Sequence, residues 1–552
     1  MTPRAFVFLC LVSCSFFACK NENGKSIKKL KSFTQRDQTI TPENAFTDLF
    51  LDSMKLETFI QSEHLDTIDA QHIRSFYNSR NYQFAWFNKS GLNEQGLSFW
   101  NLLNSFISLS KDSFLFDKKL AKEMTEFVNV DSGLQVNKNN FTKTELKLTR
   151  QFFIYANVAY AGRVNPEELQ WFIPRKKIDA LALLDSMVSH NGKFSEQWEP
   201  VNAQYQALRK ELIRFRNIAD KGGWQPILWE SKKIIQPGTE DAEIVLLKQR
   251  LFISGDLAQN DSTNLYDSTL QQAVKTAQRR FGFREDGIVN EALIKELNVP
   301  AKLRIEQILI NMERMRWLPE TAAANRIVAN IPEFKLHVYE NNKEAFSMNI
   351  VVGKEGTGTV IFNDILKYIV FSPYWNVPSS IVKKEIMPAM RRNPNYLARN
   401  NMEITGKSGG IPIIRQKPGG KNSLGRVKFL FPNNYNIYFH DTPAKSLFSR
   451  EKRAFSHGCM RLSEPKKLAV YLLRDQPEWT EQRIDSAMNL HKEKWVTLKN
   501  PLPVFVSYFT AWVDSDGLLN FRDDIYGHDK KMANRMFVQS ATLSNDSTVI
   551  QR

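Results

Sequence analysis

After Cys19 this chain holds one thiol, Cys459, in the run Phe455-Ser456-His457-Gly458-Cys459-Met460-Arg461. Fifteen residues separate Ser456 from an upstream His440, which ends the strand-like Tyr438-Phe439-His440 before Asp441-Thr442. A thiol becomes a nucleophile when an imidazole or a positive charge lowers its pKa and backbone amides can receive an oxyanion. Gly458 permits the tight turn that would aim its own amide and that of Cys459 at the developing charge. Such a donor is worth about 2.7–4 kcal/mol in acyl-transfer sites. Covalent acyl transfer is therefore the chemistry these residue types predict.

Two rivals use the same residues. A zinc hydrolase could take His440, His457 and Cys459 as ligands, yet the chain has no His-Glu-x-x-His helix, and a Gly turn suits a nucleophile loop better. A non-catalytic wall-binding lipoprotein would not need an intact His440/Cys459 pair. His64, His72 and His190 have no partners at ligand spacing. Gly353-Lys354-Glu355-Gly356-Thr357-Gly358 follows a strand and opens no helix, so it reads as a loop and not a phosphate cradle. No cofactor is implied.

The elements that must position this pair follow from periodicity. Residues 44–237 show helical spacing in Leu65–Phe76, Phe99–Leu109 and Leu146–Tyr160, and Ala161-Gly162-Arg163-Val164-Asn165-Pro166 breaks one helix and opens another. The aromatics Tyr82, Phe84, Trp86 and Phe87 read as core. Residues 238–300 predict three short helices around Leu247, Leu251, Val274, Phe281 and Leu293, and residues 301–324 a linking helix. From about 325 to 522 the period becomes 2, with a hairpin turning at Asn341-Asn342. His337 in that hairpin reads as a cross-strand surface residue. Residues 523–552 are expected to be a tail. The fold class is thus multidomain α+β, helical first and mostly β at the catalytic end.

Length and composition agree with several domains: 42% hydrophobic and 24% charged residues are an ordinary globular balance. The apolar run Ala5–Ala18 is too short to span a bilayer. After Met-Thr-Pro-Arg, and before Cys19, it reads as an export signal covering residues 1–19. Phe16-Phe17-Ala18-Cys19 reads as a loose lipobox with Cys19 lipidated, and Leu11-Val12-Ser13-Cys14 keeps Cys14 open. Residues 20–43 are polar enough to be a flexible tether. The formal charge of +16 comes without zinc-finger or RNP-like patterns, so nucleic acid is not expected as a partner. Lys and Arg read as spread along the whole chain, a basic surface facing anionic lipid or wall polymer.

The His440 to Cys459 pattern resembles the YkuD-type L,D-transpeptidases. Their signature is a His, fourteen to seventeen residues, then Ser/Thr-His-Gly-Cys-x-Asn/Arg. Further matches in Val351-Val352-Gly353-Lys354, Pro373-Tyr374-Trp375-Asn376-Val377-Pro378, Arg391-Arg392-Asn393-Pro394-Asn395-Tyr396 and Lys417–Gly425 are similar to the large YcbB subgroup. Phe281-Gly282 with Asp286-Gly287 resembles a three-helix peptidoglycan-binding domain. The resemblance implies a helical scaffold, a small peptidoglycan-binding module and a mostly β catalytic domain whose inserted capping segment spans about 378–430. It implies Cys459 as nucleophile and His440 as general base, oriented by the Asp441 carbonyl. His457 would flank the oxyanion site formed with Gly458, and Arg461 would hold the loop or a stem-peptide carboxylate. Trp375, Asn376, Asn422, Gly425 and Ser456 would bind substrate. The expected partners are peptidoglycan stem peptides, carbapenem-type inhibitors and, through the N-terminal lipid, a membrane. The expected location is the periplasm or cell envelope.

Overall fold

The computed structural model describes residues 34–111, 113–128, 139–190, 199–229 and 234–537. The expected signal, Cys14, Cys19, residues 20–33 and residues 538–552 lie outside them. No helix among the described residues is long and apolar enough to cross a membrane. The described residues fall into two compact units, one up to Gln83 and one from Phe84. In the first, residues 34–43 are not a free tether: Arg36 Nε donates to Asn81 Oδ1 at 2.6 Å, and the Asp37 amide to the Asn78 carbonyl. Two helices, Ser53–Ser62 and Thr67–Ser79, follow, capped by Asp52 and Asp66, which satisfy amides that a helix start leaves open.

In the second unit, Phe84, Trp86 and Phe87 are core, with Trp86 stacked on Phe99. The predicted break is real. The helix Asn139–Ala156 passes into a π turn, Asn157–Ala161, and stops at Gly162, whose φ is +81°. A Cβ there would meet Glu313 Oε1 at 2.6 Å. That carboxylate accepts from the Arg163 and Val164 amides and pairs with Arg316. Glu313 and Arg316 belong to the helix Ala301–Trp317, where a linking helix was expected. It is the buried hub of the unit, with thirteen buried residues and contacts to the helices Ala203–Asp220 and His528–Met536.

The three predicted short helices are Glu243–Ser254, Ser268–Phe281 and Glu291–Leu297, packed on Leu247, Leu251, Val274, Phe281 and Leu293. They are seated firmly on the strand-rich end of the chain. Arg280 Nε donates to the Leu519 carbonyl, Arg522 to the Arg280 carbonyl, and Phe281 stacks on Phe521.

Residues 326–507 form a nine-stranded sheet. In chain order its strands are β1 (Arg326–Asn330), β2 (Lys335–Glu340), β3 (Lys343–Gly353), β4 (Phe362–Phe371), β5 (Val427–Leu430), β6 (Phe439–His440), β7 (Ala454–Ser456), β8 (Met460–Leu462) and β9 (Lys494–Ser507). The spatial order is β7-β3-β8-β6-β5-β4-β9-β1-β2, and β2 pairs back onto β3, so the sheet closes on itself. Closure removes exposed edges and gives one interior, filled by Ile350, Ile369, Phe429, Phe439, Met460 and Val504. Asn341 and Asn342, at φ of +50° and +64°, make the expected hairpin turn. His337 departs from expectation. It is largely buried between Glu333 at 3.0 Å and Glu344 at 2.9 Å. Burial disfavours its charge, but the two carboxylates outweigh that and push its pKa up to about 10.

One more expectation is corrected. Residues 523–537 are no tail: the helix His528–Met536 buries Met532 in the barrel core, and Asp529 meets buried Arg314 at 2.6 Å. The segment from Trp375 to Gln416 has its own small core of Val377, Val382, Ile386 and Ile414. It carries a three-stranded sheet, Trp375–Asn376, Ile411–Gln416 and Met402–Ser408, that periodicity had not indicated.

Candidate active site

The strands β6 and β8 run parallel, with Phe439 beside Met460 and His440 beside Arg461. Phe439 and Met460 are fully buried in the barrel. Strand alternation therefore sends Tyr438, His440, Cys459 and Arg461 to the other face, with Tyr438 next to Cys459. The Met460 amide donates to the Tyr438 carbonyl at 3.2 Å, which keeps this register up to the nucleophile loop.

His440 is buried, and its Nδ1 lies 2.5 Å from the Asp441 carbonyl. That contact fixes the proton on Nδ1 and leaves Nε2 as the basic nitrogen. Burial and the nearby Arg461 charge push its pKa down to about 4. The Cys459 thiol is raised by burial, while hydrogen bonds from Tyr438 and the charge of Arg461 work against the rise. The resting pair is thus a neutral imidazole and a neutral thiol, not the charge pair that would lower a cysteine's pKa. Cys459 Sγ donates to the Asn436 carbonyl at 3.4 Å. Asn436 sits at φ +54° in a turn held by Asn433, whose side chain bonds the Phe431 and Ile437 carbonyls and the Tyr435 and Ile437 amides.

The loop that carries Cys459 is braced from beneath. Gly458 has φ +122°, a conformation open to glycine at little cost. Its amide donates to Ser456 Oγ, whose own proton goes to the Cys459 carbonyl at 2.6 Å. Thr359 Oγ1 donates to the Gly458 carbonyl at 2.7 Å and accepts from the Gly353 amide. The Lys354 amide and Thr357 hydroxyl donate to the Ser456 carbonyl. Tyr526, in the stretch expected to be tail, bonds Gly353 and Thr359.

The expected site residues thus separate into groups. Cys459, His440 and Arg461 share one face. Arg461 Nε is buried without a hydrogen-bond partner among the described residues, and its charge acts on both Cys459 and His440. His457 is exposed and turned to Glu385 of the cap at 2.9 Å, not toward an oxyanion position. The Gly458 amide is occupied by Ser456, so the expected pair of amide donors reduces to that of Cys459. Ser456 is 2% exposed, and its hydroxyl serves the loop, not a substrate. Asn422, equally buried, spends its amide on the Pro373, Gln416 and Lys417 carbonyls and its oxygen on the Leu424 amide. Gly425, at φ +65°, admits the Asp441 side chain, which a Cβ would meet at 2.4 Å. Asn422, Gly425 and Ser456 therefore shape walls and present no donors. Trp375 packs against the cap core, and Asn376 is exposed on the cap's edge strand. Tyr438, the Asn436 carbonyl, Thr359 and Tyr526 were missed. Period-2 counting back from His440 would have found Tyr438. The others depend on contacts across more than 20 residues. Among the described residues no three His, Cys, Asp or Glu side chains gather to hold a metal.

Comparison with known proteins shows what parts of this chain are similar to. Residues 324–480 match the L,D-transpeptidase catalytic domain (YkuD), residues 71–212 a scaffold domain, and residues 240–297 a domain described as "Putative peptidoglycan binding domain". A Haemophilus influenzae protein named "Putative L,D-transpeptidase" is 31% identical over 253 residues, 43% of this chain and 50% of that protein. The chain thus spans about half the length of that curated relative. Solved structures include an L,D-transpeptidase from Mycobacterium smegmatis, 16% identical over 34% of this chain and 60% of that one, with a TM-score of 0.19. An LD transpeptidase in complex with imipenem is 19% identical over 34% and 61%, also at 0.19. At these scores the superpositions carry no argument. The sequence matches do: residues 324–480 are similar to the L,D-transpeptidase catalytic domain of the YkuD type, and the residues before them to a scaffold domain and a putative peptidoglycan-binding domain.

Proposed function

We propose that the protein is an exported peptidoglycan L,D-transpeptidase. Neutral His440 takes the Cys459 proton as sulfur attacks the carbonyl between the third-position diamino acid of a stem peptide and its terminal D-Ala. The Cys459 amide and the Tyr438 hydroxyl face the new oxyanion. The tetrahedral centre collapses, the His440 proton passes to the leaving D-Ala amine, and a thioester remains. The side-chain amine of a second stem attacks that thioester, loses a proton to His440 and frees the thiol. The product joins two third-position residues. Arg461 receives a stem carboxylate. The observation that carries this reading is the placing of Cys459 and His440 on one face of two paired strands, with His440 held neutral.

The domain divisions at about 238, 301 and 325, lipidation at Cys19, a periplasmic or cell-envelope location and acylation of Cys459 by carbapenems belong to the same proposal. Purified disaccharide tetrapeptide is the decisive substrate. Dimer linked through third positions, seen by mass spectrometry and lost in Cys459→Ala, is the expected outcome. Tripeptide alone would make the enzyme a carboxypeptidase. A carbapenem adduct absent from the wild type, or persisting in Cys459→Ala, would defeat the assignment of the nucleophile.

A further inference from the structure

The basic charge is not spread evenly. Residues 378–430 hold eleven Lys and Arg against two Glu, +9 of the chain's +16 in 53 residues. Within the cap, Arg415 and Lys417 share Glu403 at 2.5 and 3.0 Å. The helical half is different. Lys383, Lys384, Arg391, Arg392 and Arg399 are all exposed, and among the described residues none pairs with a carboxylate. The one acid of that half, Glu385, is taken by His457 at 2.9 Å. That bond sets the cationic stretch against the nucleophile loop, two residues from Cys459.

Five like charges within 17 residues repel one another, and a surface that served solubility alone would intersperse the signs. The cap core of four buried residues has little stability to spare for such repulsion. The geometry points to a docking face. Resting on the reading of Cys459 as an acyl-transfer nucleophile, we propose that Ser379–Arg399 draws in the carboxylate-bearing peptides of the wall polymer and guides them to the loop. Transfer consumes two stems, and the second must reach the thioester from the open side while carrying its own free carboxylates. Arg391, Arg392 and Arg399 offer forked donors that suit a carboxylate, and Lys383 and Lys384 add long-range attraction. A lipid surface would fit the sign of the charge. Docked on this face, though, it would cover the approach to Cys459.

The test is binding of the full chain to purified sacculi at about 50 mM and about 1 M salt, where the Debye length shrinks to about 3 Å. The variant carries Lys383→Gln, Lys384→Gln, Arg391→Gln and Arg392→Gln. Its control removes the same charge from the scaffold through Lys111→Gln, Lys118→Gln, Lys119→Gln and Lys122→Gln, all exposed. Exposed ion pairs are individually weak, so the four together should weaken low-salt binding about tenfold. The difference should vanish at high salt, and the control should bind as wild type does. Sacculi with amidated carboxylates should bind wild type as weakly as the variant. Should the four-fold variant melt early, Arg391→Gln with Arg392→Gln alone should still cost about threefold. Equal losses in variant and control would overturn the proposal. So would a loss seen on vesicles containing anionic phospholipid but not on sacculi. Carbapenem adduct mass on the same samples keeps the two readings apart. Wild type without adduct sinks the nucleophile assignment, whereas the sacculus comparison still decides the docking face.

Discussion

The Cys459 thiol and the His440 imidazole are both held neutral, and the side chain that touches the sulfur is Tyr438. A hydroxyl that donates to sulfur favours the thiolate, so Tyr438→Phe should raise the thiol pKa further. A hydrogen bond to a charged group contributes about 1.5–3 kcal/mol, and part of that is lost to solvent at this half-buried position. Carbapenem acylation at neutral pH should fall about tenfold, and the titration of the thiol should move up. A slower reaction with an unmoved titration would instead place the hydroxyl on the oxyanion alone. His440 sets the acid side of the profile. Its pKa of about 4 lies below the ordinary value for imidazole, so the base stays unprotonated until the pH drops toward 4. Acylation should therefore hold steady well below pH 6.5, and a limb near 6.5 would contradict the buried neutral imidazole.

Among the elements, the loops before β5 and after β6 matter as much as the strands. Gly425 lets Asp441 come close enough for its carboxylate to accept from the Arg426 amide, while the Asp441 carbonyl holds His440. Gly425→Ala adds a Cβ at a left-handed position where Asp441 already stands. It should cost about 1–3 kcal/mol of stability, read from the denaturation midpoint. It should also slow acylation by displacing the imidazole. Full stability together with full activity would mean that the contact is soft. The Gly353–Gly358 loop reads in sequence as an ordinary connection, and its role under the nucleophile emerges from Thr359 and Tyr526, separated from Gly458 by 99 and 68 residues.

At the scale of the second unit, the buried helix Ala301–Trp317 ties scaffold, three-helix module and barrel together through ionic side chains sunk among apolar ones. Arg314 is matched there by Asp529 at 2.6 Å. Removing one partner of a buried pair leaves the other charged and desolvated, which costs about 3–5 kcal/mol. Asp529→Ala should therefore destabilise the protein by about that much in chemical denaturation. Asp516→Ala breaks an exposed pair with Arg279 at 3.2 Å and should change stability by less than about 1 kcal/mol. Equal effects would mean that the terminal helix is peripheral after all.

Periodicity and motif spacing determine a great deal by themselves. The switch from helical to alternating patterning near residue 325, the three short helices, the Asn341-Asn342 turn and the His440/Cys459 pair are all legible, because each is written in neighbouring residues. Tertiary structure decided the rest. Strand register put Tyr438 against Cys459. A hydrogen bond to the Pro373 carbonyl, 49 residues away, turned Asn422 inward, and burial set the protonation of His440. The expected linking helix proved to be buried, and an expected tail became its partner. Those outcomes depend on which surfaces meet in the folded chain, and packing brings together residues that no local pattern connects.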